Sequence, residues 1–291
     1  MNDINPTNDS IYKKTLKYLI VTLFFSIIIT SLIIILSNDH DRHSIIVIAL
    51  NISAAFATSL GIIAIYRHGL IGSHGKSYLF LTLGIILWFC ADLNLFYLYF
   101  VNGIAEQNQI SISDVFWLSG YVFLSLHLIS VMRMIHIKKI SKTISILLII
   151  VISFVIINLI HSSLHSLFIN NVDKDWIKKG FGITNLIITI LYPILDLSLI
   201  IPSVIILVNL YRDYQHSIPW VLSSLSLLTN AIADNGYVDD FIRGSSTIWK
   251  WDLFYITDFI IMAGALYWFN RFHISDSLKE KKNRKIKNKE F

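Results

Sequence analysis

Six aspartates interrupt or border long apolar runs in this chain: Asp92, Asp114, Asp196, Asp234, Asp252 and Asp258. A carboxylate is costly in hydrocarbon, so acids retained in such places mark candidate functional positions. Aromatic side chains accompany them. Trp88 precedes Asp92 by four residues and shares its helix face. Tyr121 follows Asp114 by seven, and Tyr255 lies three residues from both Asp252 and Asp258. Carboxylates beside aromatic faces suit a cation or a polar organic ligand. Asp92, Asp196, Asp234 and Asp258, with Trp88, Tyr121 and Tyr255, are therefore the candidate ligand-binding residues. Asp114 and Asp252 open apolar segments, where an aspartate also caps free backbone N–H groups and meets the positive end of the helix dipole. Those two are read as caps or as members of the site. The competing role for the other acids is a structural lock, each bonded to a Tyr, Trp, Asn or Ser of a neighbouring helix.

Other chemistry finds little support. His161 and His165 are four apart, a spacing compatible with a metal, but their serine-rich surroundings are ordinary and no metal site is expected. His127 belongs to the opposite side of the membrane and cannot share a haem with them. The last apolar run has no central lysine to anchor retinal. There is no HExxH, no glycine-rich phosphate loop, and no serine with a histidine base on a matching face. Asp92 with Asp234 lacks the companion motifs of an intramembrane aspartyl protease. The chain is expected to be neither an enzyme nor a cofactor carrier.

Positioning these acids requires membrane-spanning helices. A helix crosses a bilayer with about 20 mostly apolar residues. Eight segments qualify: Leu16–Leu36, Ile45–Tyr66, Tyr78–Phe100, Val115–Met132, Ile144–Ile160, Ile187–Leu210, Ile218–Asp234 and Leu253–Asn270. The seventh is diluted by Ser223, Ser224, Ser226, Thr229 and Asn230. The first is too long for a signal-peptide core and lacks a small-residue cleavage site, so it is read as retained. No barrel-type alternation is visible. The expected class is an all-α integral membrane protein. Composition agrees: 55% of the 291 residues are hydrophobic and 15% charged, against about 25% charged in a soluble domain. The single Cys90 excludes a disulfide framework.

Depth follows from a rise of about 1.5 Å per residue. Asp92 falls roughly 12 Å inside the end of its helix, and Asp258 about 9 Å deeper than Asp252. The acids gather in one half of the bundle, and the other half holds almost no charge. Basic residues set the orientation by the positive-inside rule. With a cytoplasmic N-terminus, the inner segments hold 18 of the 24 Lys and Arg, and the acids face outward. Both termini are then cytoplasmic in a cell membrane. The net charge of +5 lies at membrane edges and in the tail. Anionic lipid headgroups are the natural partner of such a tail, and nucleic acid is not.

The polar residues also repeat. A shift of 145 places Tyr66-Arg67 on Tyr211-Arg212 and Asn51 on Asp196. Shifts of 142 and 138 place Asp92 on Asp234 and Asp114 on Asp252. Four helices per unit is an even number, so the two copies run in parallel about an axis along the membrane normal. The expected organisation is a segment 1–15, repeats 16–140 and 141–270, and a basic cytoplasmic tail 271–291.

Gly84-x3-Trp88-x3-Asp92, then Ser113-Asp114-Val-Phe-Trp117-Leu-x-Gly120-Tyr121, and Tyr192-Pro-Ile-Leu-Asp196 together resemble the N-terminal multi-helix membrane modules of prokaryotic signalling proteins. In those proteins the module precedes a diguanylate cyclase or histidine kinase domain. The resemblance covers most of residues 45–270. It implies a sensory input module with an eight-helix bundle, and it assigns no binding residue. About 20 residues follow the last helix, with no room for an output domain, so the signal is expected to pass to a separate cytoplasmic or membrane partner. The leading expectation is a stand-alone membrane sensor with an outward-facing acidic–aromatic site. The alternatives are a small proton- or cation-coupled transporter and a structural subunit of a membrane complex.

Overall fold

The computed structural model describes residues 6–70, 72–103, 111–135, 139–170, 181–210, 214–243 and 249–273. Among them the chain is all-helical, with eight α-helices and no strand. These are α1 (Pro6–Leu36), α2 (Asp39–His68), α3 (Gly72–Phe100), α4 (Ile112–Met134), α5 (Lys139–Asn170), α6 (Phe181–Leu210), α7 (Tyr214–Arg243) and α8 (Trp249–Trp268). A π-helical turn, Phe269–His273, follows α8. The C-terminal tail beyond His273, the lysines at 174, 178 and 179, Arg212 and the His165 side chain lie outside the described residues.

Capping decides where several helices begin and end. α2 stops at Gly69, whose φ of 78° lies in the left-handed region, with its N–H on the Ile65 carbonyl. α4 starts from a capping box: the Ser111 side chain accepts from a first-turn N–H, and Asp114 accepts from the Ser111 N–H at 2.8 Å. The helices therefore run past their apolar segments into polar ends.

Six helices close into a ring. α2 packs on α3, α3 on α4, α4 on α6, α6 on α7, α7 on α8, and α8 returns to α2. α1 lies outside against α8 and α2, and α5 lies outside against α6 and α7. α1 shows why. It is apolar all round, and Ile20, Phe24, Phe25, Ile29 and Ile33 are exposed, as expected of a helix solvated by lipid. The core faces inward through Leu81, Ile85, Leu124, Leu128, Leu199, Leu227, Met262 and Leu266.

The closest crossing is between α3 and α4, at Gly84 and Gly120. A Cβ on Gly84 would meet Leu124 at 2.6 Å, and one on Gly120 would run into the Trp88 ring. Arg42 fastens one rim. It donates to the Ser37 carbonyl at 2.9 Å, pairs with Asp39 at 2.6 Å and lies 4.5 Å over the Trp249 ring.

Among the described residues six helices are long and apolar enough to cross a membrane: α1, α2, α3, α4, α6 and α8. The fifth and seventh expected spans are not among the six found within the described residues. In α5 the described apolar stretch is the shorter Lys142–Phe154. In α7 the polar residues that lower hydropathy are turned into the ring. Ser223, Ser224, Ser226, Asn230 and Asn235 are all buried, while Leu225 and Ile232 face outward. A helix sheltered by neighbours on both sides needs less apolar surface than one facing lipid.

Candidate functional site

Tyr121 of α4 reaches the junction of α6 and α7. Its hydroxyl donates to Asp196 Oδ1 at 2.6 Å and also meets Asp234 Oδ2. A phenol has one hydrogen, so it cannot donate to both carboxyls. The set closes only if the carboxyl pair itself holds a proton.

Around this centre the donors are local. Asn235 donates to Asp196 Oδ2 at 2.8 Å, Asn230 donates to Asp234 Oδ2 at 3.1 Å, and the Tyr255 hydroxyl of α8 donates to Asp234 Oδ1. On α7 Asn230 precedes Asp234 by four residues, one turn, and Asn235 directly follows it, so the helix supplies both its acid and its amides. Tyr192, at the level of α6 just before Asp196, donates to Asp114 Oδ1 at 3.1 Å. The other Asp114 oxygen remains in the cap of α4. Asp114 is thus a cap and a tie between α4 and α6 at once.

Asp92 sits across the ring on α3. Asp252 in the first turn of α8 is its carboxylate neighbour. Asn51 of α2 donates to the Asp92 backbone carbonyl at 3.3 Å. Asp258, deeper on α8, accepts from Ser226 of α7. None of these carboxyls is paired with a Lys or Arg among the described residues.

The structure therefore gathers the sequence-selected acids. Asp196, Asp234, Tyr121 and Tyr255 form one bonded set, with Asp258 beneath it and Asp92 and Asp252 beside each other. Trp88 plays a different part. Its N–H goes to the Trp117 carbonyl at 3.1 Å, and its ring meets Tyr121 edge-on at 5.5 Å. It packs the site and bonds none of the acids. Asn230, Asn235 and Ser226 were not selected from sequence. Their only signal was the polar dilution of the seventh segment.

Among the described residues Asn270 Oδ1, in the turn after α8, has no hydrogen-bond partner, and near the acids three buried acceptor oxygens have none: Asn51 Oδ1, Asp92 Oδ2 and Asn235 Oδ1. Their residues stand on α2, α3 and α7, around the acid cluster. Unmatched acceptors beside unpaired carboxyls favour a guest that brings positive charge or protons. Among the described residues no three His, Cys, Asp or Glu side chains converge to hold a metal ion. No family model, no curated protein and no solved structure matches the chain.

Proposed function

We propose that this chain is a multi-pass membrane sensor in which the acid–aromatic cluster, open toward the outside, takes a small inorganic or organic cation. The single observation that carries the reading is Tyr121 held between Asp196 and Asp234, on three different helices. A guest that competes for that hydroxyl or those carboxyls changes how α4, α6 and α7 pack. Such a change in packing biases two arrangements of the ring and is read at the inner helix ends by a separate partner. That is the role implied by the likeness to input modules of diguanylate cyclases and histidine kinases.

The same proposal includes eight spans in two parallel four-helix repeats, 16–140 and 141–270, with both termini cytoplasmic. Two features support the repeat. First, advancing four helices carries the ring contacts α2–α3, α3–α4 and α4–α6 onto α6–α7, α7–α8 and α8–α2. Second, the polar contacts follow. Asn51 bonds the Asp92 carbonyl, and the shifts of 145 and 142 carry these two residues onto Asp196 and Asp234, which share the Tyr121 hydroxyl.

The test is the melting temperature of the purified full-length protein in nanodiscs, measured against sodium, potassium, choline and tetramethylammonium chlorides at constant ionic strength. At least one cation should raise the wild-type Tm and leave Asp234→Asn unmoved. Equal Tm values for the wild type across the four salts would sink a cation-sensing site.

A further inference from the structure

Asn235 of α7 stands at the edge of the set formed by Tyr121, Asp196, Asp234 and Tyr255. Its Nδ2 donates to Asp196 Oδ2 at 2.8 Å and to the Ala231 carbonyl at 2.8 Å. Both acceptors need a hydrogen, so the amide nitrogen faces them and the oxygen does not. That oxygen is buried without a hydrogen-bond partner, and the residue is only 9% exposed. Oδ1 and Nδ2 belong to one planar amide, so the unmatched oxygen lies beside the Asp196 carboxyl. A buried acceptor left short is costly, and among the described residues no side chain supplies a donor.

The carboxyls next to it have capacity for a further partner. An ionised carboxylate offers about four lone-pair sites. Asp196 accepts from Tyr121 on Oδ1 and from Asn235 on Oδ2, and Asp234 Oδ1 accepts from Tyr255. Each of these three oxygens keeps a second lone pair. Every open position around the pair is thus an oxygen acceptor, and no Lys or Arg pairs with either acid among the described residues. Asp196 is fully buried and Asp234 is partly exposed, so an ion reaches Asp196 past Asp234.

Size and charge narrow the guest. The one phenol oxygen of Tyr121 reaches both carboxyls, so the space between them suits a bare ion. An ammonium carrying methyl groups is too large for it. As the set stands, the pair holds one proton and carries one negative charge. A monovalent ion in place of that proton leaves the buried charge unchanged. Mg2+ demands an octahedron of oxygens and Ca2+ a larger shell. No third carboxyl converges on the pair to build either among the described residues.

From these contacts we infer that the guest of this site is a single alkali-metal ion, held by Asp196, Asp234 and Asn235 Oδ1. The inference rests on the cation-sensing reading and narrows it to inorganic monovalent ions. The ion draws on one acid of α6 and on an acid and an amide of α7. The Tyr121 hydrogen then serves one carboxylate, and α4 gives up its tie to the other.

The test is the midpoint concentration of the Tm rise in each salt, for the full-length protein in nanodiscs with N-methylglucamine chloride holding the ionic strength. Lithium, sodium or potassium chloride should raise the wild-type Tm, and tetramethylammonium chloride should not. In Asn235→Ala the effective ion's midpoint should rise about tenfold or more, the usual loss when a metal site is stripped of a supporting group. A purely structural Asn235 lowers the Tm in every salt and leaves the midpoint where it was. An unmoved midpoint in folded Asn235→Ala, as expected where water alone serves Oδ1, overturns the inference. So does a Tm rise in tetramethylammonium that matches the alkali ions, a comparison that needs only the wild type should the variant fail to fold. Both results leave the cation-sensing reading standing. No shift in any salt removes that reading and this inference with it.

Discussion

Tyr121 donates its hydroxyl to Asp196 at 2.6 Å, across the seam between α4 and α6. That seam joins the segment 16–140 to the segment 141–270, and it has few other polar ties at this level. One turn below, Ser125 and Ser198 bridge the same helices at 2.7 Å. The acids that looked isolated along the sequence thus become a shared feature of both halves.

The donors to the buried acids should each matter for stability. Asn235→Ala removes the donor to Asp196 Oδ2, and Tyr255→Phe removes one donor to Asp234. Each should cost about 1–3 kcal/mol, the usual penalty for a buried acceptor left short. Tyr192→Phe should cost less, because Asp114 keeps its Ser111 cap. Unfolding by SDS titration in mixed micelles gives the order, and a larger loss for Tyr192→Phe would count against it.

The α3–α4 crossing leaves no room for a side chain at Gly120. Gly120→Ala drives a methyl into the Trp88 ring, which itself rests against Tyr121. Overpacking of this kind costs about 1–3 kcal/mol. A lowered Tm for Gly120→Ala is expected, with partial recovery when Trp88→Phe is added. An unchanged Tm would mean that the helices are farther apart.

Eight spans and six spans differ in one testable place. In a Cys90→Ala background, the Lys174→Cys variant should react with a membrane-impermeant maleimide in intact cells. Lys76→Cys should react only after permeabilisation. Protection of Lys174→Cys in intact cells would remove α5 from the membrane or reverse the topology.

Much of this site could be read before the fold. Asp92, Asp196, Asp234 and Asp258 declared themselves because a carboxylate inside an apolar run has few explanations. Their partners did not. Asn230, Asn235 and Ser226 are residue types found on any polar helix face, and spacing alone does not say which face turns inward. The ring order was also hidden. α1 is apolar on every side, so periodicity could not show that it stands outside the ring and α2 within it. Helices extend a few residues beyond the apolar segments, because caps such as Ser111 at the start of α4 and Gly69 at the end of α2, not hydropathy, bound them. α7 failed as a span by composition for the reason that makes it important, since its serines and asparagines are the inner surface.

The most direct measurement is a double-mutant cycle between Tyr121→Phe and Asp196→Asn, read as unfolding free energy in the same micelles. If the two residues share one buried bond, their effects should be non-additive, with a coupling of about 0.5–3 kcal/mol. Effects that simply add would mean that the hydroxyl and the carboxyl do not meet, and the acids of the two halves would no longer form one site.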